Sequence, residues 1–127
     1  MSNPYLSAFN NQFMEFVEDV LILFPNDPDL IASKNTILLM KKFNPRIIIT
    51  TWRDLIAIPY HKEIEEEGFD FFISKDYSQD LKDMPDSDKT LQIIERFRSP
   101  LRNLHDNDKI TTMKYVNNMV KLSLLYK

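Results

Sequence analysis

The chain has 127 residues, 43% hydrophobic and 28% charged, which is typical of one globular domain and excludes a mainly disordered chain. The absence of cysteine excludes disulfides, thiolate metal sites and cysteine nucleophiles, and a single glycine excludes glycine-rich phosphate loops. The net charge of −3 is uneven: residues 1–88 hold 8 basic and 16 acidic residues (−8), and residues 89–127 hold 8 and 3 (+5). Either the two parts attract each other within the fold, or the basic part faces an acidic partner.

Neither a signal peptide nor a membrane span is predicted. The first residues are polar, and the apolar stretch 9–24 is interrupted by Glu15, Glu18 and Asp19. No apolar run reaches the roughly 18 residues that a membrane-spanning helix needs. We therefore expect a protein that is not secreted and has no membrane partner.

Two helices are predicted in the first third of the chain. The first starts between Pro4 and Ser7 and ends near Phe24, because the residue before Pro25 avoids the helical region. Its predicted inward face comprises Phe9, Phe13, Phe16, Val20, Leu23 and Phe24. The second starts at Pro28, with Asp27 as its N-cap, and ends near Phe43. It runs through the apolar residues Leu30, Ile37, Leu38 and Met40.

A central helix is predicted from Asn44, as N-cap, to Gly68, which ends it. Pro45 takes the first helical position, and Pro59 removes a backbone donor and is predicted to kink or break the helix. The apolar face comprises Ile48, Ile49, Trp52, Leu55 and Ile56, followed by Tyr60 and Ile64. The opposite face comprises Arg46, Thr50, Arg53, Ala57 and His61.

The remaining chain is predicted to form a short turn, a loop and two more helices. Residues 69–73 form a helical turn at the end of the bundle, and residues 75–87, including Pro85, form the longest loop. Ser87 or Asp88 then caps a helix whose inward stripe comprises Leu91, Ile94, Phe97, Leu101 and Leu104. Pro100 is predicted to kink this helix or to restart it. The last helix spans about 109–125, with inward residues Met113, Val116, Val120 and Leu124.

The sequence contains few residues in patterns that indicate catalysis or metal binding. His61 and Glu65 share a helix face, but no third ligand accompanies them, so no metal site is predicted. Asp83, Asp86 and Asp88 lack the spacing, glycine and glutamate of a calcium loop. No serine has the glycine-flanked turn of a nucleophile. We therefore expect no catalytic residues, no metal, no cofactor and no enzymatic activity.

Three surfaces are candidate binding sites. A basic patch on the last two helices comprises Arg96, Arg98, Arg102, Lys109, Lys114 and Lys121, and would suit nucleic acid if left exposed. We expect it instead to be neutralised within the fold by Glu65–Glu67 or by the loop 80–88. An acidic patch comprises Glu65, Glu66 and Glu67, which lie at a helix C-terminus, where negative charge is unfavourable. Lys62, four residues before Glu66, would offset part of this charge. A candidate protein contact on the last helix comprises Met119, Leu122 and Tyr126. The alternative for this last set is burial between neighbouring helices.

Two segments resemble a known family. The pattern NPR…W…PY…FF…KDYS…DL, from Asn44 to Leu81, and the KYVNN of the last helix resemble small helical proteins of large DNA viruses of algae and protists. The resemblance covers most of the chain and implies a viral origin and a location inside the host cell or in the virion. The resemblance assigns no catalytic residues to this chain.

These observations predict an all-α single domain, residues 1–127, with five or six helices and a central helix kinked at a proline. The predicted function is a non-enzymatic protein-interaction module, an adaptor or a virion-associated component, that binds a protein partner or itself. The alternative is a nucleic-acid-associated protein that uses the basic patch.

Overall fold

The computed structural model describes residues 3–83 and 87–126, and these residues form seven helices and no β-strand. The helices are α1 (Pro4–Leu23), α2 (Pro28–Phe43), α3 (47–67), α4 (Phe69–Ser74), α5 (Ser78–Leu81), α6 (Ser87–Leu101) and α7 (Asp106–Leu125). The predicted all-α single domain is confirmed. The prediction of five or six helices omitted α5.

The first two helices begin at side-chain caps. Asn3 Oδ1 accepts a hydrogen bond from the Tyr5 N–H (2.9 Å), and Asp27 Oδ1 accepts one from the Asp29 N–H (2.9 Å). In each helix a proline takes the first position, where its missing N–H leaves no donor unsatisfied. The predicted start of α2 is therefore confirmed with its cap.

Asn44 ends α2 and does not start the next helix, which corrects the prediction. Its backbone N–H donates to the Met40 carbonyl (2.9 Å) and so closes α2. Its side-chain oxygen accepts from the Arg46 N–H (3.1 Å), which holds Pro45 and Arg46 in a turn. Helix α3 begins at Ile47, without a side-chain cap.

Helix α3 continues past Pro59 through a change in hydrogen-bonding pattern. Its parts are an α-helix Ile47–Trp52, a π-helical segment Arg53–Ala57 and an α-helix Ile58–Glu67. Within this helix the Ile58 N–H donates to the carbonyl of Arg53, five residues back. Pro59 has no N–H, so the regular bond to Leu55 cannot form, and π-helical turns occur where such a bond is displaced. The helix is therefore not broken at Pro59, a π-helical segment precedes the proline, and the predicted kink stays a prediction.

The π-helical segment inserts about one residue into the helical repeat and changes which side chains face inward. The apolar face predicted from Ile48 to Ile56 is buried as expected, and Ile64 is buried after it. Ala57 was predicted on the outer face but is fully buried (0% exposed), and the π-helical segment to which it belongs contacts α7. Helix α3 is therefore covered on two sides.

Helix α3 is the centre of the packing. It contacts α1, α2, α4 and α7, while α7 also pairs with α1 along their lengths, and α6 packs on α2 and α5. The Trp52 ring lies 6.1 Å from Phe9, 6.2 Å from Phe13 and 6.2 Å from Phe72, between ring centres. These contacts join α1, α3 and α4 in one aromatic cluster.

The segment predicted as a polar loop contains part of the core. Tyr77 and Leu81, one helical turn apart at the start and end of α5, are both buried. The predicted loop positions Pro85 and Asp86 lie outside the described residues. Helix α4 confirms the predicted helical turn, since Phe72 and Ile73 are buried against the bundle.

Two residues predicted to face inward are exposed, namely Leu23 and Leu124. Small polar residues take buried positions instead: Ser33 in α2, and Thr112 and Ser123 in α7. Helices that approach closely favour small side chains over large apolar ones, and apolar periodicity alone does not detect this preference. Within the described residues no helix is long and apolar enough to cross a bilayer.

Trp52→Ala is expected to lower the free energy of unfolding by about 3–5 kcal/mol, the range for emptying a large aromatic from a core. The indole is 8% exposed and contacts rings from two other helices. Urea denaturation followed by circular dichroism measures the loss. A loss below about 1 kcal/mol would show that the indole contributes little to the core.

Candidate functional site

Arg98 is buried, so the predicted basic patch loses its central member. Its side chain is 4% exposed, and its Nη1 donates to the carbonyls of Phe72 (3.2 Å) and Lys75 (2.6 Å) at the end of α4. Its guanidinium also lies 5.4 Å from the centre of the Tyr77 ring. A cation is favoured at a helix C-terminus, where unsatisfied carbonyls carry partial negative charge. Arg98 therefore fastens α6 to α4 and α5.

Glu95 neutralises two arginines of the predicted basic patch, Arg98 and Arg102. Its carboxylate accepts hydrogen bonds from Arg98 Nη2 and from Arg102 Nη2 (3.2 Å). Burial would raise the pKa of Glu95, but the hydrogen bonds and charges of these arginines outweigh it and hold the pKa below its ordinary value. Neutralisation within the fold was predicted, but its source is a residue of the same helix and not Glu65–Glu67.

The other members of the basic patch do not belong to one neighbourhood. Arg96, Arg102, Lys114 and Lys121 are exposed, and Lys109 is half-buried with its Nζ 4.0 Å from Asp106. Helix α6 packs on α2 and α5, whereas α7 packs on α1 and α3. The cations are thus divided between helices that have different neighbours.

The acidic patch is exposed as predicted. Glu65, Glu66 and Glu67 occupy the last turn of α3, just before Gly68, whose φ of 66° ends the helix. Across residues 3–83 and 87–126, no cation lies within 4.0 Å of these carboxylates, so the expected contact from Lys62 does not form. The patch is a solvated anionic helix end.

The predicted protein contact on the last helix belongs largely to the core. Met119 is fully buried (0% exposed), Tyr126 is buried, and Leu122 is half-buried against the core. Arg53 donates from Nη1 to the Tyr126 carbonyl (3.3 Å), and its guanidinium lies 5.8 Å from the Tyr126 ring centre. Helix α7 is apolar on several sides because it packs between α1 and α3, which was the alternative explanation.

The largest run of exposed apolar side chains on one helix lies on the outer face of α2. Its members are Ile31, Leu38, Leu39 and Phe43, interspersed with the exposed Asn35 and Lys42. These positions recur at helical spacing opposite the buried Leu30, Ser33 and Ile37. Phe43 is 84% exposed. We call these four apolar residues the α2 outer face.

His61 takes part in a local contact and not in a metal cluster. Its Nδ1 lies 2.9 Å from the Ala57 carbonyl oxygen, a distance at which the N–H tautomer donates. Glu65, its predicted companion, is exposed. The part of the chain that the structure describes contains no group of three potential metal-ligating side chains.

A cavity of about 140 Å³, partly open to solvent, lies between α1, α2, α3 and α6, with Phe72 of α4 and Tyr77 beside it. Six aromatic rings contribute to its wall, from Phe13, Phe16, Trp52, Phe72, Tyr77 and Phe97. Aliphatic residues from α2, α3 and α6 complete the wall, among them Ile37, Leu55 and Ile94. The surface that encloses the space is almost wholly apolar.

Polar atoms of three wall residues are buried behind this surface. The Trp52 Nε1–H, the Tyr77 hydroxyl and the Arg98 Nε–H have no hydrogen-bond partner among the described residues. Burial raises the pKa of Tyr77 to about 12, so the phenol stays neutral over the whole physiological range. Asn10, Ser33 and Glu63, which do not line the cavity, also have a buried polar side-chain atom without a partner among the described residues, so this property is shared with other parts of the core.

Sequence reasoning missed both the α2 outer face and the cavity. The α2 pattern was available in the sequence, since Ile31, Leu38, Leu39 and Phe43 fall on one side of a helix. The cavity has no signature in sequence, because it depends on how four helices meet in space.

No protein-family model, curated protein or solved structure matches the chain. The resemblance to helical proteins of large DNA viruses therefore stays a prediction from the sequence.

Arg98→Ala is expected to lower the free energy of unfolding by about 2–4 kcal/mol, because it removes a buried cation that satisfies two carbonyls and a carboxylate. Arg102→Ala removes an exposed partner of the same carboxylate and should cost less than about 1 kcal/mol. Denaturant titrations of both variants measure the difference. Equal small losses would contradict the role assigned to Arg98.

Acid should weaken the fold partly through Glu95. The pKa of Glu95 is lower in the folded protein than in the unfolded chain, so the unfolded chain takes up a proton first as pH falls. The ionised carboxylate therefore stabilises the fold above its ordinary pKa of 4.5, and this stabilisation is lost as pH falls through the folded pKa. At pH 7 Glu95→Gln should be less stable than wild type by about 1–2 kcal/mol. The difference between the two proteins should shrink steadily below pH 4.5, as measured by urea denaturation across pH. A difference that is constant down to the acid transition would contradict this linkage.

Proposed function

We propose that this chain is a non-enzymatic protein-interaction module that self-associates through the α2 outer face. The observation that supports it most is the exposure of four large apolar side chains on one face of a 16-residue helix. Contiguous exposed apolar surface with polar edges is typical of protein contact sites.

A second copy of the chain fits this face in an antiparallel arrangement. Asp27 and Asp29 lie at the start of α2, and Lys41 and Lys42 lie in its last turn. In an antiparallel pair the basic end of one helix meets the acidic end of the other, and the helix dipoles are also opposed favourably. A two-fold contact of this kind uses the same surface on both copies.

The alternative function, nucleic-acid association, has less support. Polyanion binding needs several cations that act together on one surface. Arg98 is buried, Arg102 is engaged by Glu95, and the remaining cations are divided between α6 and α7. No arrangement of the described residues favours this function over self-association.

The resemblance to proteins of large DNA viruses bears on where such a module would act. It supports a role as an adaptor inside the infected cell or as a component of the virion. An oligomer built through α2 leaves the acidic end of α3 on a different helix and available to other contacts.

Purified protein is expected to form dimers in a concentration-dependent manner, detected by sedimentation velocity between about 1 and 200 μM, a range that covers weak to moderate affinities. Leu39→Lys and Phe43→Lys should each yield monomers, because a charge on an apolar contact must be desolvated. Lys42→Glu should weaken the dimer, because it places like charges opposite Asp29 of the second copy.

Ile110→Lys is the matched control. Ile110 is as exposed as Leu39, 57% for both, but lies on α7. This variant should dimerise as wild type does. A wild-type protein that stays monomeric over the whole range, or an equal effect of Ile110→Lys and Leu39→Lys, would overturn the proposal.

A further inference from the structure

We propose that the cavity beneath α2 binds one uncharged apolar molecule about the size of a monocyclic aromatic ring. This site is separate from the self-association face: Ile37 and Met40, which line the cavity, lie on the inner side of α2. The inference does not depend on the oligomeric state.

The volume of the cavity sets the size of the ligand. At about 140 Å³ the space exceeds what imperfect packing leaves in an ordinary core, where voids larger than one water molecule are few. An apolar protein cavity of about 150 Å³ stays dry and accepts benzene. A ring with one or two small alkyl groups is therefore the upper limit.

The wall sets the chemical class. Trp52, Phe16 and Phe97 present rings to the space, and Leu55 and Ile56 present aliphatic carbons. Aromatic rings favour contacts with another ring at its face or edge. Because the surface that lines the space is almost wholly apolar, a carboxylate that entered would lose most of its hydration, and the cation nearest to it, Arg98, is already paired with Glu95. The site should therefore reject charged analogues of its ligands.

The cavity has a route of entry. The wall residues Ile47, Thr51, Thr90 and Ile94 are half-buried, whereas Leu55 and Phe72 are buried. These half-buried residues come from the start of α3 and from α6, so this side of the cavity is near solvent. A ligand can enter here without opening the aromatic cluster around Phe9.

Trp52 supplies a built-in probe, because it is the only tryptophan in the chain and lines the cavity. Toluene is expected to change its fluorescence in a saturable way, with a dissociation constant on the order of 0.1–1 mM, and to raise the melting temperature. Benzoate, a molecule of similar size that carries a charge, should produce neither effect at ten-fold higher concentration. 1,3,5-Triisopropylbenzene, which exceeds the volume, should also produce neither.

Ile94→Phe places a larger side chain at the wall and should weaken toluene binding at least ten-fold. Ile110→Phe makes the same substitution at an exposed position of α7 and should leave binding unchanged. The absence of saturable toluene binding, equal binding of benzoate, or unaltered binding in Ile94→Phe would each overturn the proposal. If Ile94→Phe does not fold, the comparison of the three ligands on wild type decides the question.

Discussion

The packing of the second half of the molecule depends on one buried guanidinium. Arg98 brings a positive charge into the region where α4 ends, and there it meets two carbonyls, a carboxylate and the face of a tyrosine ring. A buried charge is tolerated only when such partners surround it, so the position of Arg98 in α6 is matched to the ends of α4 and α5 that supply them. The same side chain forms part of the cavity wall, which links the local electrostatics to the shape of the core.

Helix α3 organises the first half through a different kind of constraint. Its apolar face carries Trp52 into a cluster with rings from α1 and α4, while Ala57 allows α7 to approach on another side. The bundle is therefore held by large aromatic contacts on one side and by close helix packing on the other. The cavity lies on the aromatic side, where rigid rings fill space less completely than flexible aliphatic chains do.

Local rules predicted much of the fold from the sequence. Asp27 and Pro28 identified the start of α2, and the stripe from Ile48 to Ile56 identified the buried face of α3, because caps and periodicity act over a few residues. The same rules failed for Arg98, whose position on α6 suggests an exposed cation until the end of α4 is placed beside it. They also failed for Tyr77 and Leu81, which are buried although the residues around them are mostly polar. The α2 outer face and the cavity were the least predictable features. Both depend on where the neighbouring helices lie, and local sequence rules do not give these positions.

The π-helical segment of α3 lets this helix hold one residue more than a regular α-helix along the same course. Deleting one residue from Arg53–Ala57 would remove that extra residue and restore a regular helix, while the residues after it keep the faces that they have now. Ile64 would then stay in the core, and His61 and Glu65 would stay exposed. A one-residue deletion in the regular part after Ala57 would instead rotate every later residue of the helix by about 100°. Related chains should therefore differ in length by one residue at the π-helical segment more readily than elsewhere in α3.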